Sequence, residues 1–286
     1  MKIGFAGLGI MGEPMCENIL NKHDDEIYIY NPTASKMERL TGLGAKPCSN
    51  NLEVAENVDV FISMVPKSEH SKSVYEEILP ALGPGKICID MSTIDPVVSV
   101  EISKSVKATG AQFIDAPVVK SRPAAVAGKL GIYVGCDEEI FELVKPILSY
   151  MGENIIRMGE NGKGLVMKIC HNALVAQIQN GVNETATLAA ANGIDILTFA
   201  QAISYGGGQN FYLDSKKDVI SKEDFTTAFS IENEHKDLGI GLNLAIESGL
   251  KMPGLENTKK VYDKALKEGY GKEDFSATIK VVRSQK

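Results

Sequence analysis

Three glycines near the amino terminus have the types and spacing of a phosphate-binding loop. The segment at positions 7–12 fits the pattern GxGxxG, follows a short apolar run and opens a helical pattern. In that context Gly7 permits a tight turn, Gly9 lets the backbone approach a pyrophosphate, and Gly12 lets helix and strand pack closely. The predicted contacts are Gly7, Leu8, Gly9, Ile10, Met11 and Gly12. We therefore predict a dinucleotide site; the alternative is a purely structural glycine turn.

The next strand-like run ends at Asn31, where such units usually carry an acidic residue that binds the ribose hydroxyls. Asparagine removes the charge that would repel a 2′-phosphate. Thr33, Ser35 and Lys36 could bind that phosphate, although Pro32 stands where an arginine would help. These residues favour NADP and leave NAD open. The alternative is that Lys36 is only a solvated helix charge.

Lys168 and Asn172 form a second pair that could do chemistry, because residues four apart share one face of a helix. When an aldehyde is reduced, negative charge develops on its oxygen as hydride reaches its carbon. An ammonium group can stabilise that charge and deliver the proton. The alternative is a lysine whose stem packs on a core helix while its charge reaches water.

The elements that must position these residues can be predicted from hydrophobic patterning. Short apolar runs, separated by helical stretches such as 68–82, lie at 3–6, 26–31, 58–66, 85–93, 111–118 and 129–135. This alternation predicts βαβ units and a parallel sheet covered on both faces. From residue 164 the pattern becomes helical, at 164–193, 196–206, 234–249 and 255–269. We predict an α/β domain with a doubly wound, Rossmann-type sheet over residues 1–163 and an all-α domain over 164–286.

Composition excludes several classes of partner. The 286 residues are 44% hydrophobic, carry a net charge of −7 and contain no long basic run, which argues against nucleic acid and anionic membranes. With five widely spaced cysteines and four histidines, we expect no metal site. The first strand begins within two residues of Met1, so we expect no signal peptide and a cytoplasmic protein with reduced thiols.

An ordered set of short motifs spans nearly the whole chain. They are GFAGLGIMGEPM at the amino terminus, MVP at 64–66, IDMST at 89–93, DAPV at 115–118, GKGLVMKICHN at 162–172 and HKDL at 235–238. On these motifs the chain resembles the β-hydroxyacid dehydrogenases, which include 3-hydroxyisobutyrate dehydrogenase and the semialdehyde reductases. The resemblance implies a fold like that of 6-phosphogluconate dehydrogenase, NAD(P) as coenzyme, and association through the helical half into homodimers or homotetramers.

The resemblance also implies roles for single residues. Met64, Val65 and Pro66 match the segment beneath the nicotinamide ribose, and Thr93 matches a residue near the nicotinamide. Lys168 matches the catalytic lysine, Asn172 the asparagine beside the substrate, and Lys236 the lysine that closes over the coenzyme. His171 replaces the asparagine usual at its place, and either contacts the substrate or packs in the helical core.

The predicted substrate loop departs from the family. Val119, Lys120 and Ser121 stand where Ser-Gly-Gly is usual, so a hydroxyl is lost and a cation is gained. The loop is similar to that of the sulfolactaldehyde reductases, and an added lysine suits the oxygens of a sulfonate. Both 3-sulfolactaldehyde and a carboxylate semialdehyde (succinic, tartronic or methylmalonic semialdehyde, or glyoxylate) fit a small anionic substrate. Alternatively, Lys120 and Arg122 point to solvent or pair with an acidic neighbour.

The sequence thus predicts an NAD(P)-dependent oxidoreductase that interconverts a short anionic β-hydroxyacid, or hydroxysulfonate, and its aldehyde, with Lys168 as proton donor and acceptor. One alternative is an imine reductase, a related class that often replaces the catalytic lysine. The other is a non-catalytic NADPH-binding module, which would be expected to lose that lysine.

Overall fold

The computed structural model describes residues 1–284 and divides them into two compact units. The first unit runs from Met1 to Lys168, and the second begins at Ile169. The division falls inside one long helix, close to the predicted domain boundary at 163/164. Of the described helices, none is both long enough and apolar enough to cross a lipid bilayer.

The first unit is built on a sheet that has nine strands among the described residues. The strands are β1 Ile3–Ala6, β2 Ile27–Tyr30, β3 Lys46–Pro47, β4 Val60–Ser63, β5 Ile87–Asp90, β6 Gln112–Asp115, β7 Val118–Val119, β8 Leu130–Gly135 and β9 Gly152–Gly159. Their order is β3-β2-β1-β4-β5-β6-β8-β7, with β9 on the other side of β8. The strand order reverses between β1 and β4, and ligands of doubly wound sheets bind beyond the carboxyl ends of the strands at such a point.

The predicted parallel sheet is confirmed for six strands, β1 to β6, but β8 departs from it. β8 pairs antiparallel with both β6 and β7. Only the short helix α6, Arg122–Val126, lies between β7 and β8. A connection of this length is too short for the crossover that a parallel pair needs, so the chain turns back beside β7.

Besides α6, six described helices lie between the strands of this sheet. They are α1 Gly12–Lys22, α2 Glu38–Gly42, α3 Asn51–Asn57, α4 Ser68–Ile78, α5 Pro96–Ala108 and α7 Glu138–Leu148. Two apolar clusters form the core of the unit. One joins Ile3, Ile62 and Ile89 to helix α1 through Met15, and the other contains Phe61 and Phe113. Buried strands with helices on both faces are therefore confirmed.

The second unit is all-helical. Its helices are α8 Lys163–Ala191, which starts in the first unit, then α9 Ile196–Ile203, α10 Phe211–Lys222, α11 Ile231–Glu247, α12 Pro253–Lys267 and α13 Ile279–Arg283. Tyr262, Leu238 and Leu213 lie in its apolar core. The long helix predicted at 164–193 is confirmed, and it carries both Lys168 and Asn172.

Candidate active site

The glycine loop joins β1 to α1. Its three glycines differ in whether a side chain at that position would collide with the protein. Gly7 has φ +94°, and a Cβ there would collide with the carbonyl oxygen of Met64. A Cβ on Gly12 would collide with the carbonyl oxygen of Gly7. A Cβ on Gly9, in contrast, would meet no described protein atom within 4 Å apart from its chain neighbours. Packing therefore explains Gly7 and Gly12, and the open space at Gly9 fits the close approach of a ligand.

The amino end of α1 is suited to an anion. Its N-cap residue, Met11, makes no side-chain capping bond among the described residues. Ile10 is 57% exposed although it is a large apolar residue. N–H groups at a helix amino terminus attract phosphate groups. These features suit the predicted pyrophosphate loop, whose contacts with a coenzyme stay a prediction.

Asn31 follows β2, and both ends of its amide are engaged inside the protein. Its Oδ1 accepts a hydrogen bond from the Leu8 amide at 2.9 Å, and its Nδ2 donates to the Thr33 carbonyl at 3.1 Å. Asn31 therefore holds the glycine loop in shape and brings no charge to the coenzyme. Thr33 and Lys36 are exposed beside it, as are Pro32 and Ser35.

Arg39 is the nearest arginine in sequence to this segment, and it is tied to helix α1. Its guanidinium group contacts Glu17 at 2.9 and 2.7 Å and Glu13 at 2.5 Å. These bonds lower the pKa of Glu17 below its ordinary value. Lys36 rather than Arg39 is thus the cation that the 31–36 segment can offer to a 2′-phosphate.

A buried network that the sequence analysis missed links β4 to β5. Asp90 is 1% exposed, and its Oδ1 accepts from the Ser63 hydroxyl and the Ser92 amide, each at 3.0 Å. The hydroxyl of Ser92 accepts from the Val65 amide at 2.8 Å, and burial raises the pKa of Asp90. The network fixes the two predicted coenzyme segments, 64–66 and 89–93, relative to each other.

The predicted coenzyme residues of these two segments differ in exposure. Met64, Val65 and Thr93 are half-buried, and Pro66 is exposed.

Asp115 stands at the carboxyl end of β6 and binds the start of helix α8. Its Oδ1 accepts from the Gly162 amide at 2.7 Å, and its Oδ2 accepts from the Leu165 amide at 3.0 Å. Lys168 follows in the next turn of the same helix and is 8% exposed. The motif DAPV contained Asp115, but nothing in the sequence showed that its carboxylate would reach residues 47 and 50 positions away.

Within the second unit, Asp237 brings two predicted site residues together. Its Oδ2 accepts from the Asn172 amide nitrogen at 2.7 Å, and its Oδ1 lies 3.0 Å from the Lys236 ammonium nitrogen. Asp237 itself is 2% exposed. The motif HKDL therefore supplies both a lysine and the carboxylate that orients Asn172. His171, next to Asn172 in α8, is half-buried, and its predicted role stays a prediction.

The substrate loop shows where the replaced residues point. Val119 is 8% exposed and packs against Gly131 on β8. A Cβ added to Gly131 would lie only 2.5 Å from the Cγ2 of Val119. Lys120 donates to the Lys129 carbonyl at 2.7 Å and to Glu153 at 3.0 Å. That ion pair lowers the pKa of Glu153. Val119 is thus explained by packing on β8, and Lys120 is paired with an acidic neighbour; its contact with a substrate stays a prediction.

Ser121 and Arg122 follow at the start of α6, where Ser121 is half-buried and Arg122 is exposed.

In the part of the chain that the structure describes, no group of three or more His, Cys, Asp and Glu side chains could hold a metal ion.

Comparisons with known proteins agree with this architecture. Residues 2–159 match the family model for the NAD binding domain of 6-phosphogluconate dehydrogenase. Residues 162–282 match the family model described as NAD-binding of NADP-dependent 3-hydroxyisobutyrate dehydrogenase. Together the two models cover almost the whole chain.

Individual relatives are similar over nearly all of this chain. The chain is 31% identical to 2-(hydroxymethyl)glutarate dehydrogenase of Eubacterium barkeri, over 98% of this chain and 94% of that protein. It is 32% identical to the chloroplastic glyoxylate/succinic semialdehyde reductase 2 of Arabidopsis thaliana, over 100% of this chain and 80% of that protein. The structure of Mycobacterium tuberculosis 3-hydroxyisobutyrate dehydrogenase with L-serine matches with a TM-score of 0.92, at 28% identity and over 99% of each chain.

Proposed function

The chain belongs to the β-hydroxyacid dehydrogenase family and is an NAD(P)-dependent dehydrogenase; from this premise we propose that it interconverts a short carboxylate-bearing hydroxyacid and its aldehyde. The observation that carries the proposal is the buried Lys168 on α8. Asp115 holds the start of its helix, and Asp237 orients Asn172 one turn further along. Such anchoring is what a proton donor needs if it is to stay in place.

NAD(P), when bound, supplies or accepts the hydride of this chemistry. During reduction the Lys168 ammonium group stabilises the negative charge on the aldehyde oxygen and donates a proton to it. During oxidation the neutral amine of Lys168 accepts the proton of the hydroxyl group. Asn172, with its amide fixed by Asp237, positions the substrate beside the lysine.

For the coenzyme, we propose NADP. Asn31 is uncharged and turned toward Leu8, so the end of β2 carries no carboxylate to repel a 2′-phosphate. Thr33, Ser35 and Lys36 are exposed beyond it and can bind that phosphate. The loop from Gly7 to Gly12 would hold the pyrophosphate, and Lys236 would close over the coenzyme.

For the substrate, a carboxylate is better supported than a sulfonate. The E. barkeri relative is named for 2-(hydroxymethyl)glutarate, and the A. thaliana relative for glyoxylate and succinic semialdehyde. The case for 3-sulfolactaldehyde depended on an uncompensated charge at Lys120, and Glu153 compensates it. The substrate class is therefore a two- to six-carbon carboxylate with an aldehyde or hydroxymethyl group.

The cellular setting is also a proposal. All five cysteines are unpaired, four of them buried, as is usual in a reducing compartment. This supports the expectation of a cytoplasmic enzyme.

Purified protein assayed with NADPH and NADH tests these proposals. The substrates would be glyoxylate, succinic, tartronic and methylmalonic semialdehydes, 3-sulfolactaldehyde and an uncharged aldehyde. We expect turnover of a carboxylate semialdehyde, with a higher kcat/KM for NADPH. Lys168→Ala should lower kcat about a hundredfold or more, the scale of losing a positioned proton donor, and leave coenzyme affinity unchanged.

Lys163→Ala is the matched control, because Lys163 is exposed at the start of the same helix. It should retain wild-type turnover. Tight coenzyme binding without turnover of any aldehyde would contradict the proposal and favour a non-catalytic module, and turnover of cyclic imines alone would favour an imine reductase.

A further inference from the structure

We infer that Asp115 is a positioning residue for Lys168, acting through the first turn of helix α8. The inference depends on the proposed role of Lys168 as proton donor. Asp115 is fully buried, and its two oxygens bind the amides of Gly162 and Leu165. These two amides flank Lys163 and Gly164, the first two residues of the helix.

A carboxylate that binds two amides of one helical turn fixes both the rotation of the helix and its position along its axis. Lys168 lies three residues after Leu165, in the next turn. A small rotation at the helix start would therefore carry the Lys168 ammonium group away from the substrate oxygen. Displacements of about 1 Å at a reacting group can cost on the order of a hundredfold in rate.

The surrounding chain makes room for this carboxylate. A Cβ on Gly164 would lie 2.8 Å from Asp115 Oδ2, and a Cβ on Gly135 would collide with its other oxygen. Asn161 braces the same turn, because its side chain donates to the carbonyls of Phe113 and Gly135 at 2.7 and 2.9 Å. The end of β6, the end of β8 and the start of α8 thus meet at Asp115.

Protonation would weaken this anchor. Burial raises the pKa of Asp115 to about 6, although the bonds from Gly162 and Leu165 act in the opposite direction. As pH falls through this value the folded protein takes up a proton on the carboxylate. One oxygen then becomes a hydroxyl, which accepts poorly from an amide. The start of α8 should loosen, and kcat should fall.

Other ionisable groups lie on the elements next to Asp115. They are Asp90 on β5, Lys107 on α5, Tyr133 on β8, Cys136 directly after β8, and Glu160, Lys163 and Lys168 around the start of α8. Burial raises the pKa of Cys136 to about 12, so its thiol does not ionise near neutrality. Lys168 must be protonated to donate in the reductive direction, so its own titration cannot produce an acid limb there.

The experiment is the pH dependence of kcat for aldehyde reduction, at saturating substrate and coenzyme, for the wild type and for Asp115→Asn. The wild type should lose activity below about pH 6, the value set by Asp115. Asp115→Asn should have a kcat about tenfold lower at pH 8, the scale of one charge-assisted hydrogen bond, and no such limb. Coenzyme affinity should be unchanged. Asp137→Asn, an exposed carboxylate two residues after Gly135, is the matched control and should behave as the wild type.

Three results would overturn the inference. They are a wild-type kcat that does not fall below about pH 6, an unchanged kcat in folded Asp115→Asn, or an Asp115→Asn variant whose kcat still falls below about pH 6. The first needs only the wild type, so it decides even if the variant does not fold. Lys168→Ala, assayed alongside, separates the two proposals. If that variant retains turnover, the proposed function fails; if only Asp115→Asn retains it, the inference alone fails.

Discussion

The ammonium group of Lys120 is compensated within the chain, by Glu153 at 3.0 Å and by the Lys129 carbonyl at 2.7 Å. Its backbone has φ +77°, a left-handed conformation that glycine adopts at lower cost than other residues. The lysine therefore keeps the backbone shape suited to the glycine usual in this family, and adds an ion pair at the edge of the sheet. The side chains are 40% and 47% exposed, so the pair itself contributes little to stability.

Replacing Lys120 should consequently affect charged and uncharged substrates alike. We expect Lys120→Ala to change kcat/KM for a carboxylate aldehyde and for an uncharged aldehyde by the same factor, within about twofold, since exposed ion pairs are weak. Lys120→Gly, which suits the positive φ, should match the wild type and serves as control. Steady-state kinetics with both aldehydes make the comparison. A loss confined to anionic substrates would place the ammonium group at the substrate and restore the sulfonate interpretation.

At the scale of residues, the sequence indicates which side chains could do chemistry but not which groups hold them. Gly9 and Lys168 could be proposed because a phosphate loop and a proton donor demand those residue types. The groups that hold them could not be assigned: Leu8 is bound by a side chain 23 residues away, and Asn172 by one 65 residues away. Any acid or amide of similar size satisfies such a bond, so only the fold determines which one does.

At the scale of elements, buried strands were predictable and exposed elements were not. β9 was missed because most of its residues are exposed or half-buried, so it lacks the apolar run that marked the other strands. Helix α10 was missed because its sequence, FYLDSKKDVISK, has only three buried residues. The antiparallel direction of β8 depends on the length of its connection to β7, which hydrophobic patterning does not report.

The loop between β1 and α1 can be tested as an element through Gly9. Because a Cβ there would meet no described protein atom within 4 Å apart from its chain neighbours, Gly9→Val should fold with a near wild-type melting temperature. It should bind coenzyme at least tenfold more weakly, since the side chain occupies space the pyrophosphate needs. Coenzyme fluorescence titration measures the affinity. Gly42→Val, at a glycine with equally open surroundings, is the control; equal affinity in the two variants would show that the loop does not hold the pyrophosphate.

At the scale of the whole molecule, the second unit exposes large apolar side chains on several helices. Leu188 is 66% exposed, Phe211 85% and Ile246 73%. Association can cover exposed apolar side chains, and each side chain of this size contributes about 1.5–3 kcal/mol when it is fully buried. We therefore propose that the protein forms a homodimer or homotetramer through its helical half.

Light scattering coupled to gel filtration should give a mass of two or four times 30.8 kDa. Leu188→Glu should shift the protein toward smaller species, because burying a carboxylate without a partner is costly. It should also make the melting temperature depend more steeply on protein concentration, as expected when folding is coupled to association. Leu43→Glu, at a residue 50% exposed on the first unit, should leave the mass unchanged. A 30.8 kDa wild-type species at all concentrations would contradict the assembly. An equal loss of mass in both variants would show that the interface is not confined to the helical unit.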